Sequence, residues 1–273
     1  MLLKPFEYAV PASVVEAVQL LSAPDSRVLA GGATLINVMK LRVASPSRLV
    51  DIGNLADLKQ VVVHDDGSLE LGAGVTFTDL IASEAVRQHR PILRHVAATL
   101  ADVQVRNRAT VGGNVCHNDV NNNLPPLMLA VGASMTVVGA DGERQVPADE
   151  FFIAPFWTAV GPGELLTKIV IPPRAPRRGD GWAALRVGAD GPGIVNAAAT
   201  RIGDGVRIAF GGVASRPVAV LAAAEPDEIH AVIADANLSP PPDVHATTEY
   251  KRHLAGVLGL RAAQQALSET EAL

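Results

Sequence analysis

The segment from Leu29 to Ile36 reads Leu-Ala-Gly-Gly-Ala-Thr-Leu-Ile and is the first place where the residue types suggest chemistry. A short apolar strand ends there, two glycines follow, and a helix begins. Glycines let backbone N–H groups approach an anion without interference from a Cβ atom, and a helix N-terminus adds partial positive charge. The segment therefore predicts a phosphate or pyrophosphate site. The alternative is a tight strand-to-helix connection that binds nothing.

A second segment, Ala109 to Asn114, reads Ala-Thr-Val-Gly-Gly-Asn and again places a hydroxyl, two glycines and an amide in a row. Successive backbone N–H groups in such a segment can form an anion-binding nest. The alternative is a Gly-Gly bend within a strand. Because the two segments share this composition, we expect them to form one phosphate cradle together.

A third segment, Cys116 to Pro126, is polar and contains Cys116, His117 and Asp119 close together. A metal site would need further His or Cys ligands, and no second cluster supplies them. A Cys–His nucleophile pair is disfavoured, because adjacent residues on an extended strand point to opposite faces. We therefore interpret the segment as a polar loop that hydrogen-bonds a sugar-like ligand, and we expect solvated or packed roles for the scattered histidines.

Length and composition restrict the remaining functions. The chain has 273 residues, of which 48% are hydrophobic and 19% charged, as is typical of a folded protein of about two domains. Its net charge of -5 argues against nucleic acid as the main partner. The single cysteine excludes an intrachain disulfide and a four-thiolate iron–sulfur site. Neither a G-x-G-x-x-G nor a Walker A sequence occurs, which disfavours a standard Rossmann NAD site.

The start of the chain lacks the apolar run of a signal peptide, since Lys4 is followed at once by Pro5 and Glu7. We therefore expect a cytoplasmic protein.

The elements around the first two segments follow from capping and turn signals. Ser13 to Glu16 predicts a helix start, and Thr76 to Asp79 predicts a second helix that runs to about Arg90. A further helix is expected from Pro91 to about Ala101, followed by a polar loop from 102 to 123. The predicted strands and hairpins are 27–30, 49–52, 61–63 with 69–71, 135–138 with 143–146, and 165–171.

The last hundred residues form a separate region. Pro172 to Asp180 contains three prolines together with Arg174, Arg177 and Arg178, which indicates a linker, or alternatively a docking patch for an acidic partner. Beyond it we expect strands near 194–202 and 206–210 and helices near 226–236 and 245–267. The predicted organisation is α/β at 1–56, a larger mixed unit at 57–173, and α+β at 174–273.

These motifs, taken in order, resemble the FAD-binding subunits of the molybdenum hydroxylases, the family that includes carbon monoxide dehydrogenase and xanthine dehydrogenase. The matching segments are 30–36 with 39–40, 110–114, Asp119 with 124–125, 164–166, 169–172, 249–252 and 258–262. The resemblance implies an α+β fold with a two-subdomain PCMH-type FAD-binding domain, a small α/β unit plus a larger mixed sheet. A C-terminal antiparallel sheet-and-helix domain would follow it.

The resemblance also implies a role for particular residues. A first group would wrap the pyrophosphate with backbone donors, and it comprises Leu29, Ala30, Gly31, Gly32, Ala33, Thr34 and Leu35. The opposite wall would be Thr110, Gly113 and Asn114, continued by Asp119. Further cofactor contacts would come from Leu100 with Ala101 beside the flavin ring, and from Leu166, Asn123 and Arg186.

Three departures from the family pattern stand out. Asn123 stands where the family usually has Asp, so hydrogen bonding is kept but a charge is lost. Arg186 stands where Lys is usual, which keeps the charge but changes its shape. Positions 32 to 34 read Gly-Ala-Thr where many members have a more polar pair.

The implied protein is one subunit of a heterotrimer, or of a dimer of heterotrimers. A large partner would hold molybdopterin and oxidise the substrate, and a small partner would carry two [2Fe–2S] clusters. FAD on this chain would collect the electrons and deliver them to an acceptor, without a catalytic acid or base of its own. Two alternatives remain, a self-standing flavoprotein oxidoreductase and a scaffold subunit that has lost FAD.

Overall fold

A computed structural model describes residues 2–174, 179–188 and 190–268 of the chain. Its strands are β1 Glu7–Ala9, β2 Ser26–Leu29, β3 Arg48–Asp51, β4 Val61–Val63, β5 Leu69–Gly72, β6 Ser134–Gly139, β7 Gly142–Pro147, β8 Phe152–Ala154, β9 Trp157–Thr158, β10 Leu165–Ile171, β11 Asp180–Arg186, β12 Gly193–Ile202, β13 Gly205–Gly211 and β14 Val218–Ala223. Its α-helices are α1 Val14–Leu21, α2 Leu35–Lys40, α3 Phe77–Ala82, α4 Glu84–His89, α5 Pro91–Ala98, α6 Val103–Arg106, α7 Val111–His117, α8 Leu124–Val131, α9 Ala148–Phe151, α10 Pro226–Asp235 and α11 Thr248–Leu267. A short 3-10 helix spans Ala56–Lys59.

The first unit is a parallel three-stranded sheet in the order β1-β3-β2, with α1 packed against it. The Ser13 hydroxyl accepts from the Glu16 N–H and starts α1 as predicted. Strands β2 and β3 and helix α2 also lie where the sequence predicts them, whereas β1 was not predicted. Leu165 of β10 joins the apolar core of this unit, so the first unit packs on the next one.

The second unit is an antiparallel sheet in the order β4-β5-β10-β6-β7. Both predicted hairpins form, β4 with β5 and β6 with β7. Helices α3, α4, α5, α7 and α8 supply much of the apolar core beside this sheet. The helix predicted from Thr76 to about Arg90 is wrong as one element, because Ser83 is extended and instead caps α4 through the Val86 N–H.

Two further expectations about this unit are corrected. The helix that begins at Pro91 ends at Ala98 and not near Ala101. The predicted polar loop 102–123 contains the two short helices α6 and α7. Each is capped by a polar side chain, Asp102 for α6 and Thr110 for α7, so residues that suggested a loop are in fact helix caps.

The third unit is an antiparallel sheet, β11-β12-β13-β14, covered by α10 and α11. Helix α11 approaches closely, since a Cβ on Gly181 would lie 1.9 Å from the Ala262 carbonyl oxygen. Strands β12 and β13 and both helices were predicted, whereas β11 and β14 were not. Strand β11 begins at Asp180, the last residue of the predicted linker, and Arg177 and Arg178 lie outside the described residues.

The third unit is joined to the second by buried polar and apolar contacts. Arg90 donates to Asp180 at 2.9 Å, and Thr200 donates to the same carboxylate oxygen at 2.9 Å. Helix α8 is buried along its whole length and packs on β12, β13 and β14. Within the described ranges, no helix is both long and apolar enough to cross a membrane.

Candidate functional site

A cleft of about 1470 Å³ runs between the first and second units and brings the first two predicted segments together. Its walls include Ala30 to Leu35 from the first segment and Thr110, Gly113 and Asn114 from the second. Leu166 of β10 also lines it. The cleft therefore contains ten of the sixteen residues expected at the cofactor.

Backbone donors of the first segment face this cleft without a protein partner. Between Leu29 and α2, the N–H groups of Gly31, Gly32, Ala33 and Thr34 donate to no acceptor in the described part of the chain. All four residues are at least partly exposed. Gly32 has φ +75, a conformation that glycine adopts without strain. Four adjacent free donors at the start of a helix are compatible with the anion site that the sequence predicts, which stays a prediction.

The two segments touch directly through Gly31. A Cβ on Gly31 would lie 1.7 Å from the Arg108 carbonyl oxygen and 3.1 Å from the Ala109 Cα. Any side chain at position 31 would therefore push the first unit away from the second. This close contact between the two backbones therefore requires a glycine.

The second segment is neither a nest nor a strand bend, so both interpretations made from its sequence are wrong. It forms the first turns of α7, and Thr110 caps that helix by accepting from the Gly113 N–H at 3.0 Å. The N–H groups of Val111 and Gly112 donate to Val75 and Ala73, both at 2.9 Å, and that of Asn114 donates to the Thr110 carbonyl. Since these donors are all used, the segment contributes a wall to the cleft and not a second anion site.

One polar atom of this wall is left without a partner. The Asn114 Oδ1 atom is buried and accepts no hydrogen bond from any described residue. Asn114 lines the cleft, and its backbone carbonyl oxygen, unlike Oδ1, accepts from Asn122 Nδ2 at 3.0 Å. A buried acceptor without a partner indicates a ligand or water that belongs beside it.

Six of the residues expected at the cofactor do not line the cleft. They are Leu29, Leu100, Ala101, Asp119, Asn123 and Arg186. Leu29 pairs with Asp51 in the first sheet, and Asp119 closes its own turn by accepting from the Asn121 N–H at 2.9 Å.

Leu100 and Ala101 lie instead on a turn held by the third unit. Ala101 has φ 39, which is unusual for a residue with a Cβ. Arg106 donates to the carbonyl oxygens of Leu100 and Ala101 at 2.8 and 2.6 Å, and Arg186 of β11 donates to that of Thr99. Several contacts thus maintain a backbone conformation that costs energy locally.

Asn123 links the same turn to the third unit and is buried, with 5% of its surface exposed. Its Nδ2 donates to Thr99 Oγ1 at 3.3 Å, and its Oδ1 accepts from Asn196 Nδ2 at 3.2 Å. Asn196 and Arg186 lie on the neighbouring strands β12 and β11. Asn123 and Arg186, two of the three departures from the family pattern, are therefore both bonded within the chain to the same turn.

Cys116 and His117 of the third segment end α7, and Asp119 lies in the loop that follows it. Desolvation raises the pKa of the Cys116 thiol to about 12, so the thiol stays protonated at neutral pH. Burial lowers the pKa of His117, although the carboxylate of Asp119, 3.9 Å from Nε2, opposes this shift. No group of His, Cys, Asp and Glu among the described residues is arranged to hold a metal ion.

Sequence reasoning missed two parts of the cleft wall. One is an ion pair between Arg144 and Glu164, with Nη2–Oε2 at 2.6 Å, which joins the β6–β7 hairpin to the loop before β10. The hydrogen bonds from Arg144 hold the pKa of Glu164 below its ordinary value. The other is the β8–β9 hairpin, which places Phe156 and Trp157 in the cleft. The sequence offered one signal, two adjacent large aromatic residues in a chain that has only two Trp and six Phe.

The residues present fit FAD. Its pyrophosphate needs several donors, and the four free N–H groups from Gly31 to Thr34 supply them. FAD is long and needs an extended cleft. The volume of this cleft, about 1470 Å³, exceeds the range of roughly 300–1,000 Å³ that is typical of small-molecule pockets. The partnerless Asn114 oxygen is an acceptor suited to a ribityl or ribose hydroxyl.

Comparison with known proteins gives consistent results. Residues 4–174 match the family described as the FAD binding domain in molybdopterin dehydrogenase. The chain is 34% identical over 285 residues to the nicotine 6-hydroxylase medium subunit of Paenarthrobacter nicotinovorans, covering 99% of this chain and 100% of that protein. It is 41% identical over 181 residues to the carbon monoxide dehydrogenase medium chain of Hydrogenophaga pseudoflava, covering 65% of this chain and 62% of that one.

Solved structures agree over the full length. A structure of carbon monoxide dehydrogenase from Hydrogenophaga pseudoflava that lacks the Mo-pyranopterin moiety superposes with a TM-score of 0.91. The superposed sequences are 32% identical, and the match covers 98% of this chain and 99% of that one. The α+β fold with several separate sheets, expected from the resemblance, is confirmed by this match.

Proposed function

This chain belongs to the FAD-binding family of the molybdopterin dehydrogenases, and from that premise we propose that it is the FAD-carrying electron-transfer subunit of a molybdenum hydroxylase complex. The observation that carries the proposal is the row of four free N–H groups, Gly31 to Thr34, in a cleft closed by the second segment. FAD, when bound, supplies two-electron and one-electron redox chemistry, and the protein supplies binding, orientation and electrostatics.

Each part of the chain has a distinct role in holding the cofactor. The backbone from Gly31 to Thr34 binds the pyrophosphate, while Thr110 and Asn114 form the facing wall. Leu166 supplies an apolar contact and excludes water. Leu100 and Ala101 contact the flavin from their turn. Asn123 and Arg186 position this turn through hydrogen bonds to Thr99. Leu29 orients the first segment through the sheet, and Asp119 orients the loop after α7.

We also propose the domain limits 1–56, 57–173 and 174–273, which the three larger sheets support because each lies within one of these ranges. The partners are a small [2Fe–2S] subunit and a large molybdopterin subunit, assembled as a dimer of heterotrimers in the cytoplasm. The designation of its relatives as medium subunits supports the presence of a smaller and a larger chain.

The test is the FAD content of the complex purified with this chain, in the wild type and in two matched variants. Thr34 is exposed and its side chain makes no capping bond, so Thr34→Asp and Thr34→Asn are both expected to fold. The added carboxylate repels a pyrophosphate and should weaken FAD binding by about 1–3 kcal/mol, whereas the amide should not. A complex that assembles without FAD would support the scaffold alternative, and substrate turnover by the chain alone would support the self-standing flavoprotein.

A further inference from the structure

The β8–β9 hairpin carries the most exposed aromatic pair of the cleft. Phe156 is 64% exposed and Trp157 is 62% exposed, and both line the same cleft as the free N–H groups of the first segment. Large aromatic side chains are normally buried, because each buries 150–250 Å² of surface when packed. Two neighbouring exposed rings at a cleft mouth therefore require an explanation.

The backbone at this hairpin is strained in order to place the Phe156 ring there. Ala154 pairs with Trp157 across a two-residue turn, Pro155 and Phe156, and Phe156 has φ 59. A turn with proline at its second position and positive φ at its third normally takes glycine or asparagine at the third. A side chain as large as phenylalanine is unfavourable in this conformation. The chain thus keeps a ring at a position where glycine would fit the backbone better.

Asn118 fixes the strained turn to the end of α7. It is itself left-handed, with φ 44, and is almost fully buried. Its Nδ2 donates to the Ala154 and Trp157 carbonyls at 2.7 and 3.1 Å, and its carbonyl accepts from the Phe156 N–H at 3.1 Å. The His117 ring lies 5.1 Å from the Phe156 ring at an interplanar angle of 42°. These contacts hold the backbone of the turn, and the His117 ring packs against that of Phe156.

We propose that Phe156 and Trp157 form a stacking platform for a planar heteroaromatic ring of the bound dinucleotide. The inference rests on the proposed function, since it requires FAD in this cleft. A dinucleotide held by its pyrophosphate extends one ring to each side, so either adenine or the isoalloxazine ring reaches the platform. Stacking of a base on an aromatic side chain strengthens binding by about ten- to a hundredfold, which corresponds to roughly 1.4–2.8 kcal/mol.

The experiment uses the complex containing this chain, freed of flavin and titrated with FAD, with ADP and with FMN. ADP carries adenine and the pyrophosphate, whereas FMN carries the isoalloxazine ring. Phe156→Gly removes one ring and relieves the backbone, so its Tm is expected to equal or exceed that of the wild type while its FAD affinity falls about ten- to a hundredfold. Trp157→Ala should weaken FAD likewise, and Trp157→Phe, which keeps a ring, should not.

The two probes identify the ring, because the affinity of either ADP or FMN should fall in Phe156→Gly and that of the other should not. Tyr250→Ala is the matched control, since Tyr250 is an exposed aromatic residue of α11 that does not line the cleft. If the wild type binds FAD and neither Phe156→Gly nor Trp157→Ala changes the FAD affinity, the stacking proposal is refuted and the proposed function is not. The stacking proposal would also be refuted if the affinities for ADP and FMN fell equally. It would likewise be refuted if the variants lost a partner chain while their FAD affinity stayed unchanged. Absence of FAD from the wild-type complex would refute the proposed function as well.

Discussion

Asn123 and Thr99 are joined by a hydrogen bond of 3.3 Å from the Asn123 amide to the Thr99 hydroxyl oxygen. The Thr99 hydroxyl donates its only proton to the Val96 carbonyl at 2.7 Å, so it can only accept from residue 123. The other end of the same amide accepts from Asn196. An amide, which both donates and accepts, satisfies the two neighbours at once, and a carboxylate does not.

Replacing Asn123 by Asp, the usual family residue, is therefore expected to destabilise this chain at neutral pH by about 1–3 kcal/mol. The new carboxylate is buried opposite an acceptor, so its pKa is raised in the folded protein. The variant should approach wild-type stability below the ordinary Asp pKa and lose stability as the pH rises through the raised pKa. Urea unfolding at pH 4 and pH 8 measures this, and a deficit that is equal at both pH values would contradict it.

Replacing Gly31 by Ala should separate the two segments of the cleft. The new methyl would overlap the Arg108 carbonyl oxygen, so we expect a loss of about 3 kcal/mol together with loss of bound FAD. Gly256→Ala is the control, because Gly256 lies in α11 with open space at its Cβ position and should gain up to about 1 kcal/mol in helix propensity. Thermal unfolding and FAD content of the two variants test this, and a normal Gly31→Ala protein would refute the contact.

The Arg144–Glu164 pair should stabilise the cleft wall in a pH-dependent way. Glu164 Oε2 accepts from Arg144 and from the Gly161 N–H at 2.7 Å, and Glu164→Gln disturbs both contacts. Because the side chains are 44% and 22% exposed, we expect a loss below about 1 kcal/mol. The Glu164 pKa is lowered from 4.5, so the contribution is present above that pH and is lost as the pH falls through the lowered value.

Calorimetry at pH 7 and at pH 3 should therefore show a larger Tm difference between wild type and Glu164→Gln at pH 7 than at pH 3. Glu143→Gln is the matched control on the same hairpin, since Glu143 is exposed and forms no ion pair among the described residues. A Tm difference that grows on acidification would have the wrong sign.

Cys116 should be unreactive in the folded protein. With a pKa of about 12 the thiol carries almost no negative charge at neutral pH, and the thiolate is the nucleophile. Iodoacetamide at pH 7.5 should alkylate it only after unfolding, as measured by mass spectrometry. Cys116→Ala should retain full FAD content. Rapid alkylation of Cys116 in the native protein would contradict the prediction and indicate a reactive thiol.

Local signals in the sequence were sufficient for elements whose stability is local. Capping residues predicted the starts of α1 and α3, Asp-Gly turns predicted both hairpins, and the first glycine pair predicted the connection between β2 and α2. The same signals misled where a cap lies inside a polar stretch, because Asp102 and Thr110 suggested a loop and instead begin helices. Strand β11 was hidden because it starts within a segment rich in Pro and Arg.

By itself, the sequence determined the family, the cofactor class and the order of the units, since these depend on motifs that are contiguous in the chain. Only the tertiary structure decided how the motifs are used. Whether an N–H is free depends on the acceptors that the fold brings near it, so among the described residues the N–H groups of Gly31 to Thr34 are free and those of Val111 to Asn114 are not. Likewise Asn123, Arg186 and Phe156 contact residues up to 87 positions away in the sequence. The spacing of motifs along the chain does not show which such distant residues meet in the fold.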